Sequence, residues 1–109
     1  MSRKNWTSEK LFERLLRNRT KKTYWDNITE LRRRPSNEVF TKAKELTSTN
    51  DDKSIISGLD LLQQLGCNPR YNKKETIEIH FKLLEHPQSN KVLKSIFYGI
   101  GHNLSLIHI

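Results

Sequence analysis

Shifted 38 places along itself, the chain lays apolar residue on apolar residue without a gap. Val39 meets Ile77, Ala43 meets Phe81 and Leu46 meets Leu84. Further on, Ile55 meets Leu93, Leu59 meets Phe97 and Leu62 meets Ile100. The polar residues Asp52 and Asn90, each just ahead of the second apolar run, match as well. A period of this length with helical spacing inside it is the signature of a stacked helical array. Each unit reads as helix, short turn, helix, and a lone pair cannot bury its apolar stripe without a neighbour.

The spacing predicts six helices and no strand. The first covers Ser8 to about Arg19, capped by Thr7 or Ser8, with Leu11, Phe12, Leu15 and Leu16 as its stripe. The second covers Tyr24 to Arg33, with Trp25, Ile28 and Leu31 on one face, and Pro35 stops it. The third begins at Ser36 or Asn37 and turns Val39, Phe40, Ala43 and Leu46 inward. Asp51 or Asp52 caps the fourth, whose stripe is Ile55, Leu59, Leu62 and Leu65, and Gly66 closes it. Gly58 sits inside that helix at a cost of up to about 1 kcal/mol relative to Ala, which close helix–helix approach would offset. The fifth, from about Lys73 to Glu85, points Ile77, Phe81 and Leu84 inward. The sixth, Asn90 to about Gly101, does the same with Leu93, Ile96, Phe97 and Ile100.

The segment Glu38-Val39-Phe40-Thr41-Lys42-Ala43 carries a resemblance, as do Asp51-Asp52 and the run from Gly58 through Asp60 and Gln63-Gln64-Leu65 to Gly66. Leu83-Leu84-Glu85, Val92-Leu93 and Ile100-Gly101-His102 extend it into the second unit. Over about residues 24–103 the chain resembles HEAT-repeat proteins, bacterial members in particular. The resemblance implies an all-α fold, an α-solenoid of antiparallel helix pairs. It also implies a scaffold that presents a concave surface to a partner protein. These are packing and capping positions, so they speak for architecture rather than activity.

The expected organisation is a basic N-terminal helical pair over residues 1–35 acting as a cap, one repeat over 36–66 and a second over 67–103. The hexapeptide at 104–109 interrupts the repeat. It matches the translation of a transposase mosaic-end adapter used in sequencing libraries, so it is read as adapter-derived, with the natural sequence continuing past residue 103.

Charge divides the chain unevenly. Of a net +8, residues 1–35 carry +7, with eleven Lys/Arg against four Asp/Glu. This is either a solvated helical surface or a face for a polyanion such as nucleic acid. Candidates for the latter are Arg14, Arg17, Arg19, Lys21, Lys22 and the run Arg32-Arg33-Arg34. For a protein partner, the second helix of each pair should line the concave face. Its polar positions are Lys53, Ser54, Ser57, Asp60 and Gln64, then Lys91, Lys94, Ser95 and Tyr98.

No chemical motif stands out, and the chain reads as a non-enzyme. His80, His86, His102 and His108 lack the i, i+4 partner a metal site would use, so neither metal nor cofactor is expected. Cys67 follows a helix C-terminus, where the dipole disfavours a thiolate. Asp51-Asp52 sits where a cap is needed. Trp6, Trp25, Asp26 and Arg32 to Arg34 could supply a base-excising site like that of helical-repeat alkyl-base DNA glycosylases, but Trp25 falls on an apolar stripe. One cysteine, no run of 18 apolar residues and no apolar segment after Met1 to Trp6 point to a cytoplasmic chain with no membrane partner.

Overall fold

The computed structural model describes residues 3–17, 20–65 and 71–107, with side chains through residue 101. Among them every regular element is helical. A single 3-10 turn, Arg3–Asn5, precedes α1 (Ser8–Arg17), α2 (Lys21–Arg32), α3 (Asn37–Thr47), α4 (Asp52–Gln64), α5 (Lys73–Leu83) and α6 (Asn90–Ile107). The expected positions Arg19, Gly66, Cys67 and His108 lie outside the described residues, and so does the side chain of His102.

Local chemistry sets the starts. Thr7 Oγ1 accepts from Lys10 N at 3.1 Å, making Thr7 the cap of α1. Thr20 caps α2 by accepting from Thr23 N, so that helix begins earlier than its apolar stripe suggests. Ser36, Asp51 and Ser89 do the same for α3, α4 and α6. Each such cap contributes about 1 kcal/mol. Asp51 and Ser89 stand one full repeat apart, so the second helix of each pair obeys the repeat. The first does not. Asn72 enters α5 in the left-handed region (φ 47°), which Asn tolerates, and no side chain caps that helix. α5 therefore begins two positions ahead of the place that the start of α3 would assign it.

Three antiparallel pairs, α1–α2, α3–α4 and α5–α6, meet around α4. That helix packs on α3, α6, α2, α1 and α5, and is apolar or closely packed nearly all round. On one side Leu61, Leu62 and Leu65 join Leu11, Phe12 and Leu15 of α1, Ile28 and Leu31 of α2, and Val39, Phe40, Ala43 and Leu46 of α3. On the other, Ile55 and Leu59 join Val92 and Ile96 of α6. The radius of gyration is 13.3 Å, close to the roughly 13 Å of a compact domain this long.

Three expected faces are corrected. Trp25 is 42% exposed, stacked edge to face on Tyr24 at 5.1 Å; Tyr24, Ile28 and Leu31 share the inward stripe instead. On α5 the buried residues are Thr76, Ile79 and His80, whereas Phe81 is 50% exposed and Ile77 and Leu84 are half-buried. On α6 they are Val92, Ile96 and Gly99, and Phe97 is 58% exposed. The covered side of α5 thus lies one position, or about 100°, from the expected stripe, and α6 meets α4 along a neighbouring stripe. Helix α6 also runs on past Gly101 to Ile107, through the first four residues of the terminal hexapeptide.

Gly58 marks the tightest crossing. A Cβ there would lie 2.6 Å from Ala43 O and 2.9 Å from Thr47 Cγ2. Gly58→Ala gains up to about 1 kcal/mol of helix propensity but forces α3 and α4 apart, and overpacking of this kind costs about 1–3 kcal/mol. A net loss of stability is expected, read as a lower thermal midpoint. A midpoint at or above the parent's would mean that the crossing yields without cost.

Candidate functional site

The residues expected to line a concave face separate into buried and exposed sets. Ser57 is 1% exposed, so it offers nothing to a partner. Asp60 accepts a 2.5 Å hydrogen bond from Tyr24 Oη of α2, and Gln64 Oε1 accepts from Arg32 at 3.2 Å. Ser95 has an enclosed hydroxyl. Helix α2 lies across Asp60 and Gln64 of α4. Lys53, Lys91, Lys94 and Tyr98 remain at the surface, Tyr98 at 68%. On α6, Lys91, Lys94, Phe97 and Tyr98 follow one another at helical spacing along one exposed face.

The Tyr24–Asp60 contact joins α2 to α4. Burial raises the pKa of both groups; the carboxylate raises the phenol further, while the phenol's hydrogen bond lowers Asp60 in return. Ser57 faces the phenol without completing a bond of its own. Tyr24→Phe leaves Asp60 enclosed without its donor. The expected loss is about 1–3 kcal/mol, measured as a lower urea midpoint with an unchanged slope.

A second polar node joins α4, α5 and α6. His80, fully buried, donates through Nδ1 to Thr76 O at 2.7 Å. Its Nε2 therefore accepts from the Gln63 amide at 2.9 Å, and the same amide donates to Ser95 O at 3.1 Å. Gly99 passes directly over the pair, and a Cβ on it would collide with both His80 Nε2 and Gln63 Nε2. Little in the sequence signals this node, because His80 and Gln63 lie on different helices and neither spacing nor composition pairs them.

Burial lowers the His80 pKa, and the Thr76 hydrogen bond opposes the shift only in part. The unfolded chain protonates near 6.5, the folded one at a lower pH. Below about 6.5 the unfolded state thus binds more protons, so stability falls as pH drops and is complete above that value. Urea midpoints should decline from pH 7.5 to 5.5, and His80→Gln should flatten that decline. An equal decline in both proteins would assign the effect to other groups.

The basic candidates likewise fall into two sets. Arg34 is structural: it pairs with Glu30 at 3.1 Å and donates to Ser8 Oγ, Arg3 O and Lys4 O, tying the N-terminal turn and α1 to the end of α2. Arg32 is held by Gln64. Consecutive helical residues point about 100° apart, so the triple-arginine run forms no single face. Arg33 and Lys21 are exposed, and Lys22 bonds Asp26 at 2.9 Å. That bond, together with Arg3, holds Asp26 below the usual carboxylate range. Arg14 and Arg17 lie exposed on α1 beside Trp6, with Lys10 and Arg3 completing a basic cluster that sequence spacing only half reveals. Lys10, Arg14 and Arg17 stand at i, i+4 and i+7, whereas Arg3 joins only through the fold.

A cleft of about 440 Å³ opens between the α3–α4 turn and the α5–α6 turn, with Thr47, Asn50, Ile55, Ile79, Lys82 and His86 among its walls. Among the described residues no three His, Cys, Asp or Glu side chains come together as a metal would require, and no helix is long and apolar enough to cross a membrane. Comparison with protein-family models, curated proteins and solved structures found no match.

Proposed function

We propose that the chain is a HEAT-like helical-repeat scaffold for protein–protein interaction, and that its interface is the outer face of the α5–α6 pair. The observation that carries this reading is an inequality between matched positions. Ile55 and Leu59 of α4 are covered by Val92 and Ile96 of α6. Of their counterparts one repeat further on, Leu93 is half-buried and Phe97 turns outward with more than half of its surface exposed. Phe81, the counterpart of fully buried Ala43, is half exposed. The side of α6 that corresponds to the receiving side of α4 is thus apolar and open. Adjacent packing of α2, α4 and α6 supports a stacked arrangement of pairs.

The partner such a face accepts is an amphipathic helical pair that presents Val- and Ile-sized side chains, as α6 does to α4. Exposed aromatic residues ringed by lysines also match the composition of interface cores and rims. Lys91 and Lys94 would then set orientation and association rate more than affinity. A cytoplasmic setting suits a chain with one cysteine.

Capture of a protein partner by the parent chain should be lost on Phe97→Glu and weakened by charge reversal at Lys91 and Lys94, with thermal midpoints near the parent's. Hydrogen-exchange protection in the complex should fall on α5 and α6. Undiminished capture by Phe97→Glu, or protection confined to α1 and α2, would overturn the reading.

A further inference from the structure

The basic end of the molecule holds a separate cleft, remote in the chain from the α5–α6 face. About 430 Å³ opens between the N-terminal turn, α1 and α2, walled by Arg3, Trp6, Glu13, Arg14, Arg17 and Thr23. Its charge is gathered around one indole ring. Lys10 Nζ lies 4.3 Å from the ring centroid, the Arg3 guanidinium carbon 5.2 Å and that of Arg14 5.9 Å. Each cation is attracted by the ring, but three so close together repel one another. An anion placed among them removes that repulsion. Two carboxylates border the cluster among the described residues: Glu13, engaged by Arg17 at 3.3 Å, and Asp26, 3.8 Å from Arg3.

Lys10, Arg14 and Arg17 are exposed on α1, and Arg3 anchors the cluster to the fold. Arg3 Nε donates to Asn27 Oδ1 at 2.7 Å, and Asn27 is itself 1% exposed. The guanidinium is thereby fixed at the cleft wall. The Trp6 indole N–H is enclosed and makes no hydrogen bond to any described residue. From Lys10 to Arg17 the charge extends roughly 10 Å along α1 at about 1.5 Å per residue, longer than a single phosphate group.

We propose that this cleft binds a chain of phosphate groups, either the backbone of a nucleic-acid strand or a free polyphosphate. Arg3 and Arg14 hold a phosphate beside the ring, and Lys10 and Arg17 take its neighbours. Arginine suits this task because its planar fork meets two phosphate oxygens at once. Arg32 and Arg34 do not wall this cleft and take no part.

Trp6 reports its own occupancy. In a Trp25→Phe background it is the remaining tryptophan, and the full chain is titrated with a single-stranded oligonucleotide and, separately, with tripolyphosphate at about 50 mM salt, where phosphate contacts are strong. The expected result is a saturable change in Trp6 emission. For an oligonucleotide engaging three phosphates, log affinity falls with log salt with a slope of about −2. Arg14→Glu weakens binding at least tenfold, whereas Arg33→Glu, outside the cleft, leaves it unchanged; melting curves show both variants folded. Tripolyphosphate binding as tightly as the oligonucleotide, and displacing it, identifies free polyphosphate as the source. Tight binding of the oligonucleotide alone identifies a nucleic-acid strand. If neither ligand moves the emission at that salt, or if Arg14→Glu binds as the parent does, the proposal is overturned.

Discussion

The near contact of α3 and α4 at Gly58 sets the geometry on which the rest of the molecule is assembled. With no side chain at that position, the backbone of α4 settles against Ala43 and Thr47. This draws Leu61 and Leu62 into the cluster shared with α1, α2 and α3, and leaves Ile55 and Leu59 as a second stripe for α6. A helix with two apolar stripes needs neighbours on both sides. The basic pair α1–α2 supplies one and the α5–α6 pair the other. Hydrophobic contact gives most of the stabilisation, since burial contributes roughly 25 cal/mol per Å² of apolar surface. The polar contacts Tyr24–Asp60 and Gln63–His80 add direction, because each is satisfied in one alignment of its helices.

The all-helical class and the pairing of helices were legible in the spacing of apolar residues, and Val39, Ala43, Leu46, Ile55, Leu59 and Leu62 are buried as that spacing requires. The second unit was less legible because its register is not uniform. Helix α6 keeps the step of the repeat from α4, with Asp51 and Ser89 as matched caps. Helix α5 starts early through the left-handed Asn72 and turns a different side inward. Periodicity reports which side of a helix is apolar, not which neighbour will cover it, and the buried set Thr76, Ile79 and His80 lies one position, or about 100° of turn, from the expected Ile77 and Phe81. Sequence spacing alone placed Ile77 and Phe81 inside for this reason.

Site residues were legible in proportion to how local their chemistry is. The lysine and arginine stripe on α1 can be read from its spacing. Its union with Arg3 around Trp6, and the removal of Arg32 and Arg34 from any open basic face, depend on contacts between parts of the chain far apart in sequence. Ser57, Asp60 and Gln64 looked like surface polar residues on an amphipathic helix. They became interior or paired because α2 lies across them. A solvent-facing position on an isolated helical pair is an interface position once a third helix arrives.

The crowding over Gly99 bears on how this sequence can change. The space a side chain would need at position 99 is already filled by the ends of Gln63 and His80, which come from two other helices. Positions 63, 80 and 99 therefore form one inheritable unit. A larger residue at 99 becomes tolerable only after 63 and 80 have shrunk, and shrinking either alone strands the hydrogen-bonding group of the other. The order in which substitutions arrive then matters as much as their identity, and related chains that keep this three-helix junction should vary at these three sites together or not at all.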